Sequence, residues 1–405
     1  MNIRTINVLY LAIGPYHGGP VESLIQLVET IDKSKVRPYI LCLPKTNSET
    51  RKRLAEIEDV VFLDLDIWIN NWLRPINDTN RYTLWHYIKW PGRFLRLISN
   101  GWRIANLIKK NRIDIVYSNI ELILEGALGG FFSRRPHVWH LRAPIGLNGV
   151  VKHFLGQKFC CFVISGLSEF VIVNSLVTRR SVEKYISNKK LRLVYNGITP
   201  ENFKRYSTYP ELRTFFNIPD SEIIIVSIGY LSKLKGGLEF MEIIVDVCKS
   251  YKNATFIWIG ESFERKNDKF CQQVFERINK ENLNQKVHFT GEQRNIGQLL
   301  TGADIFLQPM VNGSWSRVVM EAMASSLPVV AIDEELQSEI IINNETGILA
   351  RNTSEAAEHI IHLIRDPLLR SKLGLNGRKR ISRYFTNKKT SEDILAIYDE
   401  ISCSK

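Results

Sequence analysis

The sequence predicts an α/β protein of two doubly wound domains, each with a parallel sheet between layers of helices. Three observations support this prediction. First, 405 residues are too many for one ordinary hydrophobic core and fit two domains of about 200 residues each. Second, short β-branched runs alternate with amphipathic helical stretches, which is the order of a parallel sheet. Third, this alternation restarts near residue 200, after a polar segment that contains glycine and proline.

The strands and helices follow one another in a regular order. In the first half, the runs typical of strands are INVLYLAI, RPYILCLP, VVFLDLD, DIVYSN, PHVWHLR and EFVIVNS, with helical patterns such as VESLIQLVETI and TRRSVEKYI between them. In the second half, the strand runs are IIIVSIG, ATFIWIG, KVHFTG, DIFLQP, PVVAI and GILA, with helices such as LEFMEIIVDVCKSY and EAAEHIIHLIRD. Ligands of open α/β sheets bind beyond the carboxyl ends of the strands. The sequence therefore predicts a cleft between two facing domains.

The domain boundary falls in the segment NGITPENFKRYSTYP. We expect a first domain over residues 1–195 and a second over residues 196–385. Residues 386–405 are expected to form a C-terminal helix that packs back toward the first domain.

Composition limits the class of protein and its compartment. The six cysteines show no CxxC spacing and no pairing with histidine suited to zinc, which predicts reduced thiols in a cytoplasmic protein without a metal site. The first apolar run is short and is followed by glycine and proline, as in a buried strand rather than a signal peptide. The longest other apolar stretch, FCCFVISGLSEFVIV, contains Glu169 and is too short for a membrane span.

Positive charge is concentrated in the first half of the chain. The formal net charge is +12, of which residues 1–200 contribute +13 and residues 201–405 contribute −1. Residues 67–112 alone hold nine basic side chains, one acid (Asp78) and five of the eight tryptophans. Basic residues interleaved with tryptophan suit an anionic membrane surface. They also suit nucleic acid.

A structural interpretation of this basic, tryptophan-rich segment competes with both. In it, the helix GRFLRLISNGWRIANLIKK packs its apolar side chains inward and leaves the basic ones in solvent; those apolar residues are Phe94, Leu97, Ile98, Trp102 and Ile108. The sequence contains no recognisable nucleic-acid module, so nucleic acid is not an expected partner. We expect peripheral association with the inner face of the membrane, with the structural interpretation as the alternative.

One carboxylate, Glu321, lies in the otherwise apolar run PMVNGSWSRVVMEAMASSLPVV. If a helix begins near Ser316, Arg317 and Glu321 lie on one face and can form an exposed ion pair. That pair has the weaker order, and it places a cation where the helix dipole disfavours one. A phosphate bound at the helix start would remove the conflict, and Glu321 could then accept hydrogen bonds from a ribose diol. Both interpretations remain open on the residues alone.

Two glycine-rich loops follow the first strands of the two halves. GYLSKLKGG carries Lys233 and Lys235, and GPYHGGPVES contains Gly18 and Gly19. Each is either ordinary turn chemistry or a cradle for a diphosphate. Neither is a Walker loop, and the absence of GxGxxG disfavours a nicotinamide oxidoreductase.

Taken together, the motifs from Gly14 to about Phe385 resemble the group 1, or family 4, glycosyltransferases. The resemblance rests on GPYHGGPVESL, IVYSN, HVWHLRAP, VIVNS, VYNGI, IGYLSKLKGG, VHFTG, ADIFLQP, SRVVMEAMASSLPVVA and ETGIL. It implies the GT-B fold, two facing Rossmann-like domains with a central cleft. It also implies sugar transfer from a nucleotide diphospho-sugar with retention of configuration.

The resemblance implies roles for particular residues. Lys235 matches the family lysine that neutralises the donor diphosphate, and Glu321 matches a glutamate that binds the ribose. His140 matches a histidine near the reacting sugar, where Arg142 is expected to assist. With Lys235 and Glu321, His140 completes the predicted catalytic set. The other predicted donor-binding residues are Gly18, Gly19, Tyr230, Lys233, Gly291, Gly313, Ser314, Trp315, Ser316 and Arg317.

The sequence departs from the family pattern at several positions, and Ser314-Trp315-Ser316 replaces the family's usual Gly-aromatic-Gly. Gly313 stands where the family has the first of two signature glutamates, and Tyr230 stands where it has an arginine. We expect Lys233 or Arg317 to replace the missing cation. The departures also leave open a non-catalytic, sugar-nucleotide-binding or scaffold subunit of a glycan synthase; a sugar-nucleotide epimerase fits the signature segment less well.

The expected function is hexosyl transfer from a UDP- or GDP-sugar to an acceptor hydroxyl. The expected acceptor is a glycan or a lipid-linked molecule of cell-surface polysaccharide, capsule, lipopolysaccharide or glycolipid synthesis. No obligatory cofactor or metal is expected, because the sequence has no Asp-x-Asp motif for a diphosphate-bound cation.

Overall fold

The computed structural model of the chain describes residues 4–12, 19–42, 48–65, 90–121, 123–146, 156–203, 211–261, 268–293, 295–310, 315–332 and 335–403. The chain divides into two compact units. The first consists of Met1–Gly197 together with Asn387–Lys405, and the second of Ile198–Thr386.

In its described residues, the first unit contains a seven-stranded parallel sheet. The strands are β1 (Ile6–Ala12), β2 (Val36–Cys42), β3 (Val61–Asp64), β4 (Ile115–Ser118), β5 (His137–Leu141), β6 (Phe170–Val173) and β7 (Leu191–Leu193). They lie in the order β3-β2-β1-β4-β5-β6-β7. The helices are α1 (Gly19–Thr30), α2 (Ser48–Ala55), α3 (Trp90–Lys110), α4 (Leu124–Ser133), α5 (Gly156–Leu167), α6 (Leu176–Val182) and, after the second unit, α15 (Asn387–Cys403).

The described part of the second unit contains a six-stranded parallel sheet. Its strands are β8 (Ile223–Ile228), β9 (Ala254–Ile259), β10 (Val287–Phe289), β11 (Ile305–Gln308), β12 (Val329–Ile332) and β13 (Ile348–Ala350). They lie in the order β10-β9-β8-β11-β12-β13. The helices are α7 (Glu211–Phe216), α8 (Gly237–Ser250), α9 (Lys269–Lys280), α10 (Ile296–Thr301), α11 (Arg317–Ala324), α12 (Glu335–Ile340), α13 (Thr353–Arg365) and α14 (Pro367–Tyr384). Short 3₁₀ helices cover Pro200–Phe203 and Lys233–Lys235.

The central strands of the first sheet are buried on both faces. Because side chains alternate along a strand, Leu9 and Val116 pack on one face with α3, while Trp139 on the same face packs with α4 and α5. Tyr10 and Tyr117 point to the opposite face. Strands buried on both faces are continuous apolar runs, which explains why the sequence patterns of these strands show little polar alternation.

Helix α15 completes the opposite face of the first sheet. It buries Ile394, Ile397, Tyr398 and Ile401, a spacing that places all four on one side of a helix. The Tyr398 hydroxyl donates a hydrogen bond to the Tyr10 hydroxyl at 3.2 Å. The first unit therefore depends on a helix that follows the second unit in the chain.

Helix α3 differs from the structural interpretation of the basic, tryptophan-rich segment. Leu97 and Ile108 are buried and Ile98 is half-buried, as that interpretation requires. Phe94 and Trp102 are instead 49% and 50% exposed. The helix turns a different side to the sheet, because Ile104 and Ala105 take the buried positions. The part of the segment over residues 67–89 lies outside the described residues.

The two doubly wound parallel sheets confirm the predicted fold class. None of the described helices has the length and apolarity that a membrane crossing requires.

We expect Tyr398 to be a principal stabilising contact of the first unit. Tyr398→Ala leaves a cavity against β1 and β4 and should lower the free energy of unfolding by about 3–5 kcal/mol. Tyr398→Phe loses only the hydrogen bond to Tyr10 and should cost about 1 kcal/mol. Hydrogen exchange of β1 and β4 amides measures both effects within this unit.

Leu368→Ala, at a side chain of the second unit that is 81% exposed, is the control and should leave the exchange of β1 and β4 unchanged. Equal exchange in Tyr398→Ala and the control would contradict this role.

Candidate functional site

The loop after β8 packs closely against the end of another strand, β11. Ser232 accepts a hydrogen bond from the backbone N–H of Lys235 at 3.3 Å and so begins the short helix Lys233–Lys235. Gly236 follows with φ of +76°, and a Cβ there would lie 2.2 Å from the carbonyl oxygen of Pro309. Only glycine fits this position, so the loop is held against the carboxyl end of β11.

Gly291, a predicted donor-binding residue, lies at the next strand ends. It forms a bridge with Gly260, whose backbone N–H donates to the Gly291 carbonyl at 3.0 Å. A Cβ on Gly260 would lie 2.2 Å from the carbonyl oxygen of Gly229. Glycines therefore follow the ends of β8, β9 and β10, and the backbones approach closely there, which leaves room for a flat ligand group.

Lys235 is half-buried beside these strand ends. Its Nζ lies 3.9 Å from the sulfur of Met310, a weak acceptor, and no carboxylate in the described parts of the chain lies within 4.0 Å of it. Burial lowers the pKa of this lysine from its ordinary value. Such an ammonium group gains stability from an anionic ligand. The neighbouring side chains Tyr230 and Lys233 are exposed.

Helix α11 begins close to the predicted start. Ser316 occupies the N-cap position, but its side chain makes no capping hydrogen bond to the helix backbone. Instead, its hydroxyl accepts a hydrogen bond from the Gln308 amide at 3.3 Å. Trp315 is buried and packs against Phe385, with ring centroids 5.7 Å apart. The helix start is thus held in place, and the Ser316 side chain does not cap the first backbone N–H groups.

Arg317 and Glu321 form the predicted i,i+4 pair, at 3.4 Å between guanidinium and carboxylate. The pair is not exposed, since only 13% of each side chain is accessible. Taking two charges even partly out of water is costly, so a part-buried pair contributes little net stability. Its position in the first two turns of α11 suits recognition of a ligand that carries both negative charge and hydroxyl groups.

Three predicted site residues, Gly18, Gly313 and Ser314, lie outside the described residues. Gly19 begins α1 and is exposed. The side-chain amide of Asn119, just after β4, donates to the carbonyl of Pro20 at 2.7 Å and ties the start of α1 to the sheet.

His140, near the end of β5, is completely buried. Its Nδ1 forms a hydrogen bond with the hydroxyl of Tyr117. Burial lowers the pKa of His140 well below its ordinary value, and the positive charge of Arg142 lowers it further, so the imidazole is neutral at neutral pH. Burial also raises the pKa of Tyr117 to about 12, so its hydroxyl keeps its proton.

A neutral imidazole beside a protonated hydroxyl has a preferred tautomer. If the Tyr117 hydroxyl donates to Nδ1, the ring proton of His140 is on Nε2. That Nε2 is buried and has no hydrogen-bond partner among the residues that the structure describes. Buried polar atoms without partners are rare in folded proteins. The Nε2–H group is therefore suited to donate to an oxygen of a ligand.

Arg142 follows β5 and is also buried, at 7% exposure. Its guanidinium donates to the Asn119 carbonyl at 3.3 Å, to the Asn119 side-chain oxygen at 2.6 Å and to the side-chain oxygen of Asn196. Its backbone carbonyl accepts from Asn174 at 3.0 Å. Arg142 thus joins the carboxyl ends of four strands, and it also lines a cavity of about 10 Å³, enough for one water.

Four further residues of this site, Tyr117, Asn119, Glu121 and Asn196, were not predicted from the sequence patterns. Burial raises the pKa of the Glu121 carboxyl, although the charge and backbone of Arg142 act in the opposite direction. Tyr117 and Asn119 lie in the motif IVYSN, and Asn196 lies in VYNGI. Strand alternation was an available signal, because Tyr117 and Asn119 have the same parity and would point to one face.

Each unit therefore contains its own set of candidate site residues. The structure brings Lys235 near Met310 at the strand ends of the second unit, and it pairs Arg317 with Glu321 in α11. In the first unit it brings His140 and Arg142 together at the end of β5. The residues of the second unit offer positive charge and a carboxylate. Those of the first unit offer neutral and cationic hydrogen-bond donors.

Solved structures share this architecture. HepE (Alr3699) of Anabaena in complex with UDP and glucose superposes with a TM-score of 0.76 at 17% identity, over 98% of this chain and 100% of that one. A glycosyltransferase of Rickettsia africae superposes with a TM-score of 0.78 at 18% identity, over 98% of each chain. At this level of identity the likeness concerns the fold, and the fold is that of the GT-B class of glycosyltransferases.

The sequence comparison identifies the family. Residues 209–380 match the model of Glycosyl transferases group 1, and residues 17–202 match that of Glycosyltransferase Family 4. The chain belongs to this glycosyltransferase family.

Curated relatives are similar over most of their length. N-acetyl-alpha-D-glucosaminyl L-malate synthase of Bacillus anthracis is 23% identical over 330 residues, which are 80% of this chain and 82% of that protein. Alpha-monoglucosyldiacylglycerol synthase of Acholeplasma laidlawii is 23% identical over 398 residues, which are 93% of this chain and 92% of that protein.

We predict that Tyr117 sets the tautomer of His140. In the wild type, ¹⁵N spectra of the imidazole should show a proton on Nε2 and a bare, hydrogen-bonded Nδ1. Tyr117→Phe removes the donor with almost no change of volume, so the two tautomers should become mixed and the Nδ1 shift should move. Tyr10→Phe, at a neighbouring buried tyrosine whose hydroxyl contacts Tyr398 instead, is the matched control. A proton on Nδ1 in the wild type would contradict the assignment.

We also predict an alkaline loss of nucleotide affinity that depends on Lys235. The ammonium form attracts a diphosphate and the neutral amine does not. Because burial lowers the lysine pKa from 10.5, affinity should fall at a lower pH than an exposed lysine would give. Calorimetric titration with UDP and GDP from neutral to alkaline pH measures the fall. Lys235→Met should bind weakly at every pH; an unchanged alkaline decline in that variant would assign the decline to another group.

Proposed function

We propose that this glycosyltransferase moves a hexosyl group from a nucleotide diphospho-sugar to an acceptor hydroxyl with retention of anomeric configuration. The observation that supports the proposal most directly is the half-buried ammonium of Lys235, which lacks a carboxylate partner among the described residues and lies beside strand ends lined by backbone. A diphosphate would supply the negative charge to pair with this ammonium group.

The leaving diphosphate is the group on which charge develops during transfer. In the proposed mechanism Lys235 and the first backbone N–H groups of α11, which the Ser316 side chain does not cap, stabilise that charge, which is the main task of a protein in such a reaction. These groups supply the positive charge from the chain itself, so the proposal requires no cofactor. Glu321 accepts hydrogen bonds from the ribose diol, and Arg317 fixes the position of its carboxylate.

In the first unit we assign His140 to the sugar that reacts. Its buried Nε2–H donates to a sugar hydroxyl, while Arg142 holds the surrounding strand ends in place. Because burial keeps the imidazole neutral, this group can donate the hydrogen bond without adding a charge of its own. His140 binds and orients the sugar in this scheme and takes no proton.

The proposed acceptor belongs to the synthesis of a cell-surface polysaccharide or a glycolipid, as a glycan or a lipid-linked molecule. Two kinds of relative support this choice. One is the diacylglycerol glycolipid synthase of Acholeplasma laidlawii described above. The other is the capsular polysaccharide biosynthesis glycosyltransferase CapM of Staphylococcus aureus, 21% identical over 352 residues. HepE, crystallised with UDP-glucose, supports a uridine nucleotide as the first donor to test.

The decisive experiment is a donor panel of UDP- and GDP-sugars assayed for nucleotide release, with NMR of the product to read the anomeric configuration. Lys235→Ala should lower kcat/KM by about a hundredfold to a thousandfold, as expected for the loss of one group that stabilises the transition state. Glu321→Gln should raise the donor KM.

Lys233→Ala and Arg317→Ala test whether either residue replaces the family arginine that is Tyr230 here. At least one should weaken nucleotide binding about tenfold, the range of one charge-assisted hydrogen bond; unchanged affinity in both would refute that compensation. Inversion of configuration would refute retention. A complete lack of turnover with every donor, together with nucleotide binding, would show a non-catalytic subunit instead.

A further inference from the structure

Helices α3, α4 and α5 form one layer over one face of the first sheet, and the outside of this layer exposes large apolar side chains. Each helix contributes: Phe94, Leu95 and Trp102 from α3, Phe131 from α4, and Phe159 and Phe162 from α5. We call these six residues the aromatic face. Between 48% and 71% of each of these residues is exposed. They therefore do not belong to the sides of the helices that pack against the sheet.

The aromatic face is continuous from α3 to α4. Trp102 stacks on Phe132 with ring centroids 4.7 Å apart, and Phe132 contacts Phe131 at 5.8 Å. Gly101 permits this approach, because a Cβ there would lie 2.8 Å from Leu128. Beneath the surface, α4 and α5 share one core through Ala127 and Cys160. The exposed rings therefore belong to one packed layer rather than to separate loops.

The exposed charged side chains of these three helices have a single sign. Neither α3 nor α5 contains an acidic residue, and the one acid of α4, Glu125, is completely buried. In the sequence, no acid occurs between Asp78 and Asp114 or between Glu125 and Glu169. The exposed basic residues of the three helices and the cap of α4 are Arg93, Arg96, Arg103, Lys109, Lys110, Arg134 and Lys158.

We propose that the aromatic face docks in the plane of an anionic lipid bilayer, with its rings at the headgroup level and its basic side chains on the lipid phosphates. Aromatic rings favour this interface, and basic groups are attracted to the negative surface potential. The docking involves three helices lying on the membrane and no helix crossing it. The inference is independent of sugar transfer, since vesicle binding requires no donor.

A bilayer fits this surface better than a folded protein partner does. A protein interface pairs its charges locally, and a complementary protein would need acids placed opposite each base. A fluid anionic surface supplies negative charge wherever a basic side chain lies, and the basic residues here are distributed along three helices.

Vesicle flotation tests the proposal on the full chain. Phosphatidylcholine vesicles that contain phosphatidylglycerol should bind the protein, and added salt should release much of it. Vesicles of phosphatidylcholine alone should bind it far less. Equal binding to both vesicles, or no binding to either, would overturn the proposal.

Two sets of substitutions locate the contact. Leu95→Ser, Phe131→Ser and Phe162→Ser remove the most exposed apolar side chain of each helix, and each should lower the partition coefficient roughly tenfold. Arg96→Glu and Lys110→Glu remove basic groups, each with a loss of at least about fivefold. These side chains lie outside the core, and circular dichroism checks that the variants remain folded.

Helix α14 of the second unit provides a matched control, because it also exposes leucine and lysine side chains. Leu368→Ser, Leu375→Ser, Lys372→Glu and Lys379→Glu repeat there the changes made in Leu95→Ser and Lys110→Glu, and they should leave partition unchanged. Loss of binding in this control set alone would move the contact to α14 and overturn the proposal. If the wild type did not bind vesicles but sedimented as a dimer, and Phe131→Ser sedimented as a monomer, the partner of this face would be a second copy of the chain, and the proposal would be overturned.

Discussion

Burial on both faces of the first sheet is the constraint on which the rest of this unit depends. Each central strand sends alternate side chains to two different helix layers, so a one-residue shift of register would exchange them all. Tyr117 and His140 lie on the face that α15 covers, while Val116 and Trp139 lie on the face that α3, α4 and α5 cover. The same alternation therefore fixes both the buried histidine and the helix layer that presents the aromatic face.

The second sheet depends on close packing of backbone. At Gly236 and Gly260 the neighbouring carbonyl oxygen lies 2.2 Å from where a Cβ would be, so side chains are excluded from the strand ends. Space for a ligand is obtained here by omitting side chains, and the half-buried group beside this space is the ammonium of Lys235, with no carboxylate of the described residues within 4.0 Å. The chemistry proposed for this unit follows from that combination of bare backbone and isolated positive charge.

Much of this organisation was predictable from the sequence, for a physical reason. Periodicity of apolar residues is a local property, so the strands, the helices and the i,i+4 pair of Arg317 and Glu321 can all be predicted from short windows. Burial of that pair is not local, because it depends on what packs beside α11. The structural interpretation assigned the wrong residues to the buried side of α3 for the same reason. The apolar residues of α3 cover more than one face of the helix, and packing against α4 decides which of them face inward.

The discontinuity of the first unit has a consequence for the order in which the chain folds. The chain leaves the first unit after Gly197 and returns to it at Asn387, and Ile394, Ile397 and Tyr398 of α15 belong to the core around β1 and β4. During synthesis, the second unit has all of its residues while that core is still incomplete. Helices α1 and α2 cover the rest of that face, but the part of the first sheet that α15 covers stays exposed to water until residues 387–403 have been made. The unit that begins the chain is therefore the last to complete its core. A chain released early from the ribosome exposes part of this sheet, which chaperones and proteases recognise.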